Sequence, residues 1–231
     1  ELGELVYPSP ADHPLRDARV RVTIEDGRFF LQTTDERYDL ITSEPPPPQG
    51  LGVVNLYSRE YFQLTHDRLA PGGMATHWLP VFQLDQSDLR AIVRAWVDVF
   101  PESSLWVGSG GEWILLGVRE GGRPVSEKEF RRPWQDPRVG AELRDLGVES
   151  PEQLGALFVL DGEGMLELAG DIPPLVADFP YQLGPWGVSK WESRYLQLLD
   201  PGQARGRFLA SGHIRRLWPE RLQRASLRQF A

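Results

Sequence analysis

The alternation of apolar and polar positions changes period several times along the chain. Val20-Arg21-Val22-Thr23-Ile24 alternates β-branched apolar residues with polar ones and predicts a strand ending in the turn Glu25-Asp26-Gly27. Phe29 to Gln32 reads as a short helix. Tyr38-Asp39-Leu40-Ile41-Thr42 predicts a second strand, stopped by Ser43-Glu44 and the four prolines Pro45 to Pro48, which cannot donate to a sheet ladder. Ser58 stands where an N-cap would open a helix through Leu69, and Pro71-Gly72-Gly73 is a turn before the strand Met74 to Leu79. Asp85 to Phe100 carries apolar residues at Leu89, Ile92, Val93, Trp96, Val97 and Phe100, one face of a helix. Ser104 to Val107 and Glu112 to Val118, split by Gly108-Ser109-Gly110-Gly111, predict an antiparallel hairpin at a sheet edge.

Strand, helix, strand, helix, strand and a terminal hairpin make an α/β pattern with a mainly parallel sheet. Beyond Gly121 the character of the chain changes. Glu127 to Arg132, Pro137 to Leu146 and Pro151 to Leu168 predict short helices, Asp171 to Pro185 is Pro-rich and irregular, and Trp191 to Leu199 and Pro219 to Phe230 predict helices. The expected organisation is an α/β domain over 1–120, a helical and Pro-rich extension over 121–186 and a basic helical tail over 187–231.

Composition narrows the chemistry. With 231 residues, 41% of them hydrophobic and 10% aromatic, the chain has enough apolar material for a packed interior, which excludes a disordered or collagenous chain. It has no cysteine, so disulfides, thiolate metal sites and a Cys nucleophile are excluded. Four histidines, His13, His66, His77 and His213, show no metal-ligand spacing, so no metal is expected. No apolar run has the length of a membrane span and no signal peptide is visible. The net charge is −8; from Gly187 onward nine basic residues face three acidic ones, so the tail is +6 and the remainder −14. An acidic body argues against nucleic-acid binding and suits a cationic substrate. The tail arginines, Arg215, Arg216, Arg221, Arg224 and Arg228, fit either a solvated helical face or a docking surface for an acidic partner.

Ligands of open α/β sheets bind beyond the carboxyl ends of the strands, which directs attention to Asp26, Glu44, His77 and Gln83. Taken singly, each has an ordinary structural explanation. Asp26 precedes a turn glycine, Glu44 precedes a proline run, and His77 sits in a strand expected to be buried. There is no GxSxG elbow and no Walker loop.

In order and spacing, several segments resemble the polyamine aminopropyltransferases, the spermidine synthases and their relatives. They are Asp17-Ala-Arg-Val-Arg-Val with Glu25-Asp-Gly-Arg-Phe-Phe, Asp35-Glu-Arg-Tyr-Asp-Leu-Ile-Thr-Ser-Glu-Pro, Asn55-Leu-Tyr-Ser-Arg-Glu-Tyr-Phe, Leu69-Ala-Pro-Gly-Gly-Met and His77-Trp-Leu-Pro. Leu157-Phe-Val-Leu-Asp-Gly-Glu and Asp178-Phe-Pro-Tyr resemble spermidine synthase-like proteins fused to membrane transporters.

The resemblance implies a Rossmann-like, class I methyltransferase-type sheet and aminopropyl transfer from decarboxylated S-adenosylmethionine to a small amine. It places Asp26 and Gly27 at the adenine and Glu44 as the carboxylate that holds and deprotonates the amine. Glu1 stands for the ribose-binding residue, and Tyr57, His77 and Gln83 for substrate contacts. Pro47 replaces the family's second loop carboxylate. The family's first strand and glycine-rich loop have no counterpart, so an upstream segment or a partner chain would supply them, or the protein is a non-catalytic Rossmann-like module. An S-adenosylmethionine-dependent methyltransferase is a further alternative. A homodimer and a cytoplasmic location are expected, with attachment to an upstream membrane segment as the variant that the transporter-fused relatives suggest.

Overall fold

The structure, a computed structural model, describes residues 14–50, 52–108, 112–178 and 197–230. Two compact units divide between Thr34 and Asp35. The expected 121–186 extension and 187–231 tail thus fall, where described, in the same unit as the sheet.

In the first unit, a 3₁₀ turn over Pro14–Arg16 leads to an Asp17–Arg19 pair at 2.6 Å. Val20 to Ile24 has no regular secondary structure and joins no ladder among the described residues, and Val22 and Ile24 are 56% and 97% exposed. The expected strand is therefore not formed there. Alternation prepares one face for burial, but a strand exists only through hydrogen bonds to a neighbour. Helix α1, Gly27–Thr33, is capped by Asp26, whose Oδ1 accepts from the Phe29 amide at 2.8 Å.

The second unit is built on a five-stranded sheet: β1 Tyr38–Ser43, β2 Leu69–Leu79, β3 Ser103–Val107, β4 Trp113–Val118 and β5 Phe158–Asp161. The strand order is β1-β2-β4-β3-β5. β1 and β2 pair parallel, while β4 is antiparallel to both β2 and β3, and β5 is antiparallel to β3. Strands β1, β2 and β3 thus share one direction and the sheet is mixed. The hairpin's second strand lies inside the sheet, not at its edge. Trp113 and Leu115 on one side and the half-buried Ile114 and Leu116 on the other make β4 apolar on both faces, as an interior strand requires.

Helices α2, Arg59–Arg68, and α3, Gln86–Val99, cover one face. Helix α2 begins at the predicted cap Ser58, which accepts from the Tyr61 amide at 3.3 Å, and α3 at Asp85, which accepts from the Asp88 amide at 2.8 Å. Trp96, Phe62 and Phe100 stack in the gap between them, with centroids 4.9 and 4.6 Å apart.

The C-terminal region contains α4 Glu127–Gln135, α5 Pro137–Asp145, a 3₁₀ turn Pro151–Leu157, β5, and α6 Gly162–Ala169. Helices α7 Pro201–Ala210, α8 Gly212–Leu217 and α9 Glu220–Ser226 follow. The single helix expected over Pro151–Leu168 is instead turn, strand and helix, because the short apolar run Phe158-Val159-Leu160 is consistent with either period. Phe158, Ala204, Phe208, Ile214 and Phe230 form a core cluster that seats the basic tail on β5. Arg207 donates to the Val159 carbonyl at 2.9 Å and Arg216 pairs with Glu102 at 2.6 Å.

Candidate functional site

The parallel pair β1 and β2 ends with Ser43 opposite His77. Both segments then leave the sheet, β1 into Glu44 and the prolines, β2 through Pro80 into a 3₁₀ turn over Val81–Gln83. This carboxyl end brings together Glu44, Tyr57, His77 and, through Gln49, Gln83.

Glu44 is exposed, and its side chain has no hydrogen-bond or ion-pair partner among the described residues. Its loop is held from below. Tyr57 is completely buried, and its hydroxyl donates toward the carbonyls of Pro45 and Pro46 at 3.3 and 3.1 Å. Ser43 and Tyr61 share a hydrogen bond of 3.2 Å between hydroxyls. A proline run offers acceptors without donors, so a buried phenol is well matched to fix it.

His77 is 2% exposed and sits in an aromatic box. Tyr57 and Phe62 meet its ring edge-to-face at 4.9 and 5.0 Å, with Tyr61 and Trp96 farther out at 6.2 and 6.1 Å. Burial pushes its pKa down to about 3, so the imidazole is neutral at physiological pH, and its Nε2 has no hydrogen-bond partner among the described residues. Burial also raises the Tyr57 phenol, keeping it a donor.

Gln49 donates its amide to the Gln83 carbonyl, tying the proline loop to the turn after β2. The Oε1 atoms of Gln49 and Gln83 are buried without a donor.

Asp26 and Gly27 belong to the first unit, where Asp26 caps α1 and Gly27 opens it. The side chain of Asp26 makes no second hydrogen bond among the described residues. Glu1 lies outside the described residues. Sequence reasoning missed Tyr61, Phe62, Trp96 and Gln49. The aromatic positions look like ordinary core in the sequence, and Gln49 carries no pattern at all. Among the described residues no cluster of His, Cys, Asp and Glu could hold a metal ion, and no helix is long and apolar enough to cross a membrane.

Residues 7–107 match the model of the spermine/spermidine synthase domain. Among curated proteins, the chain is 27% identical over 177 residues to polyamine aminopropyltransferase 2 of Pseudomonas aeruginosa, covering 73% of this chain and 50% of that protein. It is 33% identical over 148 residues to polyamine aminopropyltransferase 1 of the same organism, covering 61% and 51%. A shorter match, 36% over 74 residues, joins 32% of this chain to 26% of the polyamine aminopropyltransferase of Pseudomonas syringae pv. tomato. The chain therefore spans about half or less of the length of these relatives. Among solved structures, a probable spermidine synthase from Corynebacterium glutamicum aligns over 77% of this chain and 58% of its own, at 17% identity and a TM-score of 0.46.

Proposed function

We propose that this chain is a divergent member of the spermidine synthase-like family and carries out aminopropyl transfer from decarboxylated S-adenosylmethionine to a small cationic amine, with Glu44 as the amine's carboxylate. The observation that carries the reading is the state of Glu44. It is exposed, without a protein partner, at the carboxyl end of β1, on a loop that Tyr57 clamps from inside.

The amine arrives mostly protonated at neutral pH. Glu44 holds the ammonium by charge-assisted hydrogen bonds and takes up one proton, which frees the nitrogen lone pair. That nitrogen attacks the methylene beside the sulfonium in line. A C–N bond forms, the C–S bond breaks with its electron pair passing to sulfur, and methylthioadenosine leaves. Positioning supplies much of the rate. Gln83, whose Oε1 has no donor among the described residues, is the further residue proposed for the amine. Tyr57 and His77, both inside the core, act as positioning residues for the loop. Asp26, which belongs to the first unit, is the residue proposed for the nucleoside's adenine amine; among the described residues its side chain makes only the bond to Phe29.

The test is methylthioadenosine release from decarboxylated S-adenosylmethionine with a panel of diamines and polyamines, with methyl transfer from S-adenosylmethionine run alongside. Glu44→Gln keeps shape but loses charge and basicity, so transfer should fall by roughly 100-fold or more. The rise in Tm on adding methylthioadenosine should persist. No release with any amine, or full activity in Glu44→Gln, refutes the assignment.

A further inference from the structure

The sheet has a second face, and much of it borders empty space. Met74 and Val118, Thr76 and Leu116, and Leu116 and Ser104 are register partners, so their side chains share the face opposite His77. Over them lies a cavity of about 660 Å³. Its floor is this face, and its roof comes from α4, the 3₁₀ turn Pro151–Leu157 and α8, through Phe130, Leu157 and Leu217. All roof residues lie beyond residue 107, outside the segment matched by the spermine/spermidine synthase domain. The cavity is thus separate from the Glu44 loop, which leaves the sheet at the end of β1, and it depends on the C-terminal region.

The size and chemistry of the walls define an occupant. The volume falls within the usual range of small-molecule sites, and the lining is overwhelmingly apolar. Aromatic surface is supplied by Trp106 and Trp218, stacked 11° from parallel with centroids 6.0 Å apart, and by Phe130, 4.7 Å from Trp218. The charges nearby are already paired: Arg123 with Glu129 at 2.8 Å and Arg216 with Glu102 at 2.6 Å. Ser104 accepts from Trp106 Nε1 at 2.7 Å and Thr76 donates to Thr42 at 2.9 Å. His213 completes the wall, its pKa lowered chiefly by burial and then by Arg216, which leaves it a neutral imidazole. A charged ligand would lose its hydration here and find no free countercharge in the wall.

We propose that this cavity is a binding site for a neutral, largely apolar aromatic molecule, held between the outer sheet face and the C-terminal helices, with the His213 imidazole as its hydrogen-bonding group. This assignment does not rest on aminopropyl transfer, and either can fail alone.

The test is fluorescence titration of the full chain with N-phenyl-1-naphthylamine, a neutral apolar probe, beside 8-anilinonaphthalene-1-sulfonate, which has the same rings and an added sulfonate. Saturable binding of one neutral probe per chain is expected, with the anion weaker by roughly tenfold or more, a difference of about 1.4 kcal/mol. Leu116→Trp should fill the floor and weaken the neutral probe by a similar factor, while Glu44→Gln leaves it unchanged. Leu154→Trp, entering from the roof, is the second variant should the first fail to fold. No saturable binding, equal or tighter binding of the sulfonate, or unchanged affinity in the folded filling variants overturns the proposal.

Discussion

Two residues one position apart in the sheet register have opposite fates. Ser43 and His77 face each other at the strand ends, yet the residue after Ser43 is a solvent-facing carboxylate while His77 is sealed among aromatic rings. The histidine has a measurable consequence. Its native pKa of about 3 lies below the 6.5 of an exposed imidazole. Between these values the unfolded chain binds a proton that the native state refuses, so stability is full above about pH 6.5 and declines as the pH falls toward 3. The decline from this one group reaches at most about 1.4 kcal/mol per pH unit. His77→Phe should therefore flatten the stability profile between about pH 6.5 and 5, before carboxylates dominate. Parallel wild-type and variant profiles from denaturant melts would show that the imidazole does not carry the effect. The sequence placed this histidine in a buried strand but could not supply its neighbours. Tyr57, Phe62 and Trp96 lie 15 to 20 positions away and meet only through helix packing.

At the scale of elements, the local signals located α2 and α3, which close their own hydrogen bonds, but did not mark α7 and α8. Helix α3, Gln86–Val99, is capped by Asp85 and Phe100, within the bounds its apolar period marks. Strands depended on their partners. Val20 to Ile24 has a strand's alternation without a ladder, and β5 has a ladder without a strand's alternation. The contact between β4 and α3 shows how tight the fit is on the covered face. A Cβ added at Gly117 would lie 2.5 to 2.8 Å from three atoms of Phe100, a ring base wedged between helix and sheet. Gly117→Ala should cost about 1–3 kcal/mol through overpacking. A Tm within a degree of wild type would mean that Phe100 yields and the packing is looser than the geometry indicates.

The whole molecule joins a segment matched by a known domain to a C-terminal region that the match does not cover. The two are fused through β5, which extends the sheet beyond β3, and through Phe208, which meets Phe158, Trp218 and Phe230 at 5.9, 5.6 and 5.5 Å. The excess of arginine in the tail suggested a solvated face or a docking arm. In the structure the tail's apolar residues are core; Arg216 pairs with Glu102 and Arg224 with Glu220, Arg207 and Arg215 donate to the Val159 and Leu209 carbonyls, and Arg205, Arg221 and Arg228 have no partner among the described residues. Phe208→Ala should cost about 3–5 kcal/mol and loosen α7 to α9 together. Trypsin would then cut first at Arg205, Arg207 or Arg215, well before the sheet. Uniform cleavage, or an unchanged pattern, would show that the tail is not anchored by this cluster.

The sequence by itself determined the α/β class, the N-cap of α2 at Ser58, the end of β1 at the prolines and the position of Glu44 just beyond it. Each of these is set by chemistry within a few residues: a side chain reaching its own helix's amides, or a ring that removes a donor. Tertiary structure alone decided that β4 enters between β2 and β3 and that Tyr57 clamps the loop carrying Glu44. It also decided that a second, apolar cavity opens on the far face of the sheet. Those depend on which surfaces bury one another across tens of residues, and no local period records that choice.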